Sequence, residues 1–243
     1  MPRGTYVRCM FRVVALVLLV LVTLPLSPRR SFAEGHVPEP MRVDLVRGLG
    51  AERGELEANV LASLTLSGQA LEWAPEMEWA PLDNLAVELE LPFAGRHLEA
   101  LKPSLQITLP TSSRRIAHGI QVAASFARQR RAGAHVLWVS SGSIARHVAF
   151  VTSLGLRGEW LGHGAHHLKG LWNGALFVPL GNNALGVEVN LSWDRRWGER
   201  AIVPQAHVCM GPHAQLQLGL GVMRLEGDSP WGAVALLRMI ATR

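Results

Sequence analysis

The sequence predicts an all-β protein: a closed, antiparallel, up-and-down transmembrane β-barrel of about twelve strands. Three observations predict it. From Leu56 to the C-terminus, apolar and polar residues alternate with a period of two. That is the period of a strand, whose successive side chains point to opposite faces. Several of these segments reach about 9–11 residues, the length that crosses a bilayer as a tilted strand, whereas soluble strands average about five or six. The number of segments is even, so an antiparallel sheet can close and leave no unpaired edge in lipid.

Taken in order, residues 1–33 read as a signal peptide. Arg3, Arg8 and Arg12 form a positive region, Val13–Leu26 is apolar apart from Thr23 and Pro25, and Ser31-Phe32-Ala33 suits cleavage before Glu34. Residues 34–55 hold Pro38, Pro40, Gly48, Gly50 and Gly54 and are expected to form an irregular N-terminal arm. The barrel is expected over 56–243. Its first strand places Ala58, Val60, Ala62, Leu64 and Leu66 on one face and Glu57, Asn59, Ser63 and Thr65 on the other. The next sets Leu71, Trp73, Met77 and Trp79 against Glu72, Glu76 and Glu78. After the turn Pro81-Leu82-Asp83-Asn84, Leu85, Val87, Leu89, Leu91 and Phe93 oppose Glu88 and Glu90.

Further strands are expected at Leu101–Leu109, Ile120–Ala127, Ala134–Ser140 and Val148–Arg157. Leu171–Leu180 is apolar on both faces and ambiguous. Leu185–Trp193, Ile202–Met210, Ala214–Val222 and Trp231–Ile240 complete the set. Gly158–Lys169, Asp194–Arg200 and Arg224–Ser229 read as long loops, against short turns at Gly181–Asn183 and Gly211-Pro212. Trp79, Trp193 and Trp231 fall at strand ends, where an aromatic girdle belongs, and Trp160 begins a long loop. Pro75, Pro103, Pro179 and Pro204 fall inside proposed strands, and each removes a ladder donor.

In a barrel the polar face lines the lumen. Its candidate residues are Glu72, Glu76, Glu78, Glu88, Glu90 and Glu188, with Lys102, Arg157 and Arg238 as basic counterparts on other strands. An acidic wall partly balanced by cations gives one of two things: a narrow polar pore with cation preference, or a closed, salt-bridged plug.

The formal charge is +5 and the pI near 10.2, from 24 basic and 19 acidic residues. Five of the arginines lie in the leader, and without them bases equal acids. The basicity therefore belongs to the targeting segment, and no nucleic-acid partner is expected. Of two cysteines, Cys9 is in the leader, so Cys209 has no partner for an intramolecular disulfide after cleavage.

The tract Leu71-Glu72-Trp73, followed by Leu82-Asp83-Asn84-Leu85-Ala86-Val87-Glu88-Leu89-Glu90-Leu91-Pro92-Phe93, resembles small porin-like outer-membrane barrels of Gram-negative bacteria. These are often grouped with phenol-degradation-pathway outer-membrane transporters. Val203-Pro204-Gln205-Ala206-His207 and Leu216–Gly221 are similar to the same group, and the likeness runs from about Gly54 onward. It implies an envelope barrel in contact with outer-membrane lipid and with the barrel assembly machinery. The chain departs from such barrels at its end, Ile240-Ala241-Thr242-Arg243, where they carry an aromatic residue.

The expected function is passive passage of a small solute or a structural role in the envelope. The alternatives are a secreted or periplasmic soluble β-sandwich or β-barrel binding protein, and a lipid-modifying barrel enzyme. The sequence carries little chemistry. His163, His166 and His167 sit in a glycine-rich stretch that no cysteine or carboxylate completes into a metal spacing. Ser140, Ser141 and Ser143 near His147 read as a turn. Neither enzyme, metal nor cofactor is expected.

Overall fold

Alternation resolves into fourteen strands. These are β1 (Leu56–Thr65), β2 (Glu72–Leu82), β3 (Leu85–Glu90), β4 (Phe93–Ala94), β5 (His97–Leu98), β6 (Ala100–Leu109), β7 (Ile116–Ala127), β8 (Arg131–Ala145), β9 (Val148–Leu161), β10 (His166–Leu180), β11 (Asn183–Trp193), β12 (Trp197–Gly211), β13 (Ala214–Arg224) and β14 (Gly232–Thr242). They come from a computed structural model that describes residues 37–243 except 44, 66–70, 114, 128–130, 146, 162–165, 195–196 and 226–229. The leader and His163 lie outside the described residues, which contain no helix.

Twelve strands form one ring in which each pairs antiparallel with its neighbours, from β1 through β2, β3 and β6 to β14. β14 returns to β1 over Glu57↔Thr242 to Thr65↔Val234 and closes the barrel. The two-residue strands β4 and β5 make a small hairpin on the end of β2. Closure leaves the ring of twelve strands with no open edge, which a bilayer demands.

The faces sort as the alternation requires. Met77, Leu154, Leu156, Leu176, Leu220 and Met239 point outward and are exposed, while Gln121, Glu188, Gln205, His207 and Gln217 point inward and are buried. A soluble sandwich has the opposite arrangement, with its apolar faces hidden. An outer face of Leu, Val and Trp around a polar interior is that of a transmembrane barrel.

The four prolines fit because each sits where one ladder is already broken. Pro103 and Pro204 lie in gaps of the β6–β7 and β12–β13 pairings. Pro75 lies between the stretches of β2 that pair with β3 and β4. Pro179 pairs with β11 beyond the end of the β9–β10 ladder. Each proline therefore keeps one paired neighbour and needs no donor toward the other.

Strand lengths and loops differ from the sequence expectation. β9 and β10 run through most of the predicted loop 158–169, with Arg157↔Lys169 and Gly158↔Leu168 in register. β12 likewise begins at Trp197, within the predicted loop 194–200. Ser140, Ser141 and Ser143 lie within β8 rather than in a turn. These extensions need no apolar face, because they are ladder continued above the lipid, so they carry little period-two signal. Trp231 stands just before β14, and Trp160 lies inside β9.

Asn84 turns the chain from β2 into β3 at φ 65°. A left-handed conformation costs most residues about 1–2 kcal/mol and asparagine less. Asn84→Ala should lower unfolding stability by about 1 kcal/mol, while Asn84→Gly should leave it nearly unchanged. Urea unfolding of the refolded barrel distinguishes them.

Candidate functional site

The lumen is not an open tube. The segment Val37–Glu55 enters it, and Pro38, Glu39, Pro40, Met41, Val43, Leu45 and Val46 are buried there. A chain segment inside a barrel must satisfy its backbone donors. The two prolines have none. Several of the others find side chains of the wall, while Leu45 N–H donates to the Val43 carbonyl at 2.8 Å and Gly48 N–H to Glu39 of the same segment.

Glu188, fully buried on β11, is the central anchor. Its carboxylate accepts the backbone N–H of Met41 at 2.8 Å, Arg42 at 3.0 Å and Val43 at 2.8 Å. Asn190 and Gln205 donate to the same carboxylate from the wall at 3.0 and 3.3 Å. His207 Nε2 pairs with Gln205 Oε1 at 3.0 Å, which orients that amide. Three successive backbone donors converging on one anion form a nest. Elsewhere Gln121 Oε1 accepts from Val46 N at 3.1 Å, and Thr108 Oγ1 from Gly50 N at 2.8 Å. Gln106 Nε2 donates to the Arg47 carbonyl at 2.6 Å. Arg42 pairs with Glu199, and Arg47 with Glu55 and Glu57 at 3.3 and 3.9 Å.

Apolar packing holds the same segment. Val43 and Leu45 join Leu137, Val139, Val151, Leu171, Ala175 and Phe177 of β8–β10. Met41 joins Ala201, Val203, Met223, Val234 and Leu236 of β12–β14. This explains why Leu171–Leu180 is apolar on both faces: one face meets lipid and the other meets the arm. Two inward glycines make the room. A Cβ on Gly119 would lie 2.5 Å from Leu49 Cδ2, and one on Gly219 would lie 3.1 Å from Met41 Sδ.

Above the arm's tip lies a vestibule of ≈ 610 Å³, floored by Met41, Arg42 and Val43. Its mouth is on the side of the β1–β2, β9–β10 and β11–β12 connections. Trp73 and Phe93 stack at its edge, centroids 4.4 Å apart, with the Trp73 indole N–H donating to Gly95 O at 2.8 Å.

Of the predicted lumen residues, Glu76, Glu78, Glu88, Glu90, Glu188 and Arg238 are buried inside the barrel. Glu72 and Arg157 line the vestibule, Glu72 being exposed. Lys102 pairs with Glu90, and Arg238 stands 3.9 Å from Glu76. The register collects them into rows. Glu57, Glu78 and Glu88 stand abreast on β1, β2 and β3; Asn59, Glu76, Glu90 and Lys102 form the row above. On β8–β10, His135, Arg157 and Lys169 form a basic row. Lys169 also reaches Glu159 at 3.4 Å. β2 and β10 are six steps apart in the ring of twelve, so acidic and basic rows face each other across the lumen.

The sequence reading missed the arm as a lumen occupant, together with Glu39, Arg42, Arg47 and Glu199. It also paired the wrong histidine with the serines. His147 is in a turn, whereas His118 Nδ1 lies 2.8 Å from Ser140 Oγ on the outer face, beside Trp138. Trp138 Nε1 donates to the same hydroxyl at 3.1 Å. Among the described residues no further polar group orients the His118 ring, so the pair satisfies two polar side chains against lipid and lacks a triad's third member. Cys209 is exposed, its N–H donating to Asn183 Oδ1.

Residues 35–127 match the family described as HAEPLYID-like. No curated protein matches the chain. Among solved structures, the KdgM porin in complex with disordered oligogalacturonate aligns at TM-score 0.61 with 5% identity, over 76% of this chain and 98% of that one. An outer membrane channel from Pseudomonas putida F1 aligns at TM-score 0.60 with 11% identity, over 80% and 97%. Both share the barrel fold.

Proposed function

We propose that this chain is a porin-like outer-membrane channel for small polar solutes, closed at rest by its own N-terminal arm. The observation that carries the reading is the lumen itself: a polar vestibule with charged rows on opposite walls, floored by a segment held only through noncovalent contacts. A purely structural barrel needs neither a vestibule nor a removable floor. That both similar barrels are channels supports the reading. On it, the protein sits in the outer membrane of a Gram-negative bacterium, with lipid on its apolar face and the barrel assembly machinery as its folding partner. A place among the phenol-degradation-pathway transporters rests on the strand motifs Leu71–Trp73 and Leu82–Phe93. The chain acts as a conduit rather than an enzyme.

The vestibule also bears on the solute. Its volume falls within the roughly 300–1,000 Å³ of pockets that hold drug-sized molecules, so a small molecule fits and a compact polymer does not. Opposed rows of charge set up a transverse field, which orients a solute carrying both signs. In swelling of liposomes that carry the barrel opened by deletion of residues 34–50, a zwitterionic amino acid should enter faster than an uncharged polyol of similar mass. Arg157→Glu breaks the basic row and should abolish that preference. Equal, measurable rates for both solutes through that opened barrel would sink the solute assignment. A mature protein that stays soluble without detergent, with no heat-dependent gel shift, would sink the channel.

A further inference from the structure

Polar groups of the wall bind the arm largely by its backbone. Glu188 accepts three successive N–H groups, those of Met41, Arg42 and Val43. Gln121 accepts the N–H of Val46 and Thr108 that of Gly50, while Gln106 donates to the Arg47 carbonyl. Arg238 Nη1 donates to the Pro40 carbonyl at 3.4 Å. None of these contacts depends on which side chain the arm carries, so this wall reads polypeptide as such.

Glu188 is the decisive member. It is fully buried, and its hydrogen bonds all come from neutral amides: the three of the arm, with Asn190 and Gln205 of the wall. Among the described residues no cation pairs with it, and Arg42, beside it on the arm, sends its guanidinium to Glu199 instead. A buried carboxylate without a counter-charge is costly, and the cost grows once the arm's three donors leave. Next to it, Asn190 lines the vestibule and keeps its Oδ1 without a hydrogen-bond partner among the described residues. What this site lacks is a cation that also offers successive N–H groups.

The free end of a peptide is such a group. Its α-ammonium is followed one residue later by an amide N–H, the succession that Met41–Val43 present. We propose that Glu188 receives the N-terminus of a short peptide, and that the arm is the intramolecular substitute for it. On the channel reading, on which this rests, that peptide is the solute. Capture of an N-terminal amine by converging polar groups is a general recognition mode. A hydrogen bond between ammonium and carboxylate is stronger than one from a neutral amide, so a peptide competes with a tethered arm. Polyols and sugars offer hydroxyls but no cation.

The test uses the full mature barrel in nonionic detergent, with trialanine as the probe. Hydrogen exchange of the Met41–Val43 amides, followed by mass spectrometry, should accelerate about tenfold at saturating trialanine, because the peptide takes their acceptor. N-acetyl-trialanine amide, which has no ammonium, and xylitol should leave exchange unchanged. Equilibrium dialysis should find one trialanine per chain. Glu188→Gln keeps an acceptor but loses the charge, so it should bind trialanine about tenfold more weakly while still shifting on the heated gel. Should trialanine neither bind nor speed exchange, the capped peptide act equally, or the folded Glu188→Gln barrel bind as tightly, the proposal is overturned. Planar bilayers separate this from the channel. A barrel that conducts ions but does not bind trialanine strikes the peptide site and leaves the channel. One that binds trialanine through Glu188 and conducts nothing supports the site and strikes the channel.

Discussion

Glu188→Ala is expected to unseat the arm and turn a mostly closed barrel into a conducting one. The substitution leaves three backbone donors, on Met41, Arg42 and Val43, without their acceptor in a buried setting. Truncating one partner of a buried, hydrogen-bonded charge contact costs about 2–5 kcal/mol. At about 1.4 kcal/mol per decade, the ratio of seated to unseated arm should fall by roughly 30- to 3,000-fold. Apolar packing of Met41, Val43 and Leu45 opposes the release, so the variant should flicker rather than stay open. Deleting residues 34–50 removes that packing as well and should give a steady open level. Single-channel recordings in planar bilayers read both. If the deletion conducts no better than the unaltered protein, then the arm is not the barrier.

Leu154→Arg should destabilise the barrel in lipid by about 2–4 kcal/mol, the usual cost of a cation on the lipid face near the bilayer midplane. Leu154 is 55% exposed and stands at the middle of the fourteen-residue β9, far from either water layer. The same change at Leu180, the last residue of β10, should cost about 0–1 kcal/mol, because the side chain reaches the interface. The contrast between two exposed leucines separates a membrane barrel from a soluble one, in which both arginines would be tolerated. Urea unfolding from liposomes, with Leu154→Met as the control for size, gives the comparison. Equal stabilities for the two arginine variants would mean that this face does not meet lipid.

The strand faces were legible because lipid and lumen impose opposite chemistry on neighbouring residues. Val60 against Asn59 and Leu154 against Ser153 each state which way the strand faces. Strand ends were not legible, since above the lipid the ladder no longer needs an apolar side and Gly158–Leu161 alternates weakly. The glutamate rows could be read from parity alone. Their partners could not, because Glu188 meets Met41 across 147 positions of sequence, and no local pattern encodes such a contact. Two traces of the arm were nonetheless present. Leu171, Ala175 and Phe177 are apolar on the lumen side, where a water-filled pore wants polar groups. Gly119 and Gly219 are inward positions with no side chain, which marks a close approach by something else. The prolines opposed a barrel only so long as every strand was assumed to pair fully on both sides.

The arm also shortens the path by which the ring closes. β1 and β14 must find each other across nearly the whole chain, and the entropy of closing a loop rises with its length. Pairings of that range are the slow steps of β topologies. The arm immediately precedes β1, and its Met41 packs on Val203, Met223, Val234 and Leu236. Once that contact forms, the first strand is tethered beside the last by the short stretch of chain from Met41 to Leu56 rather than by the entire barrel. The segment that blocks the lumen thus doubles as an intramolecular mandrel, around which the final strands gather before the seam is sewn.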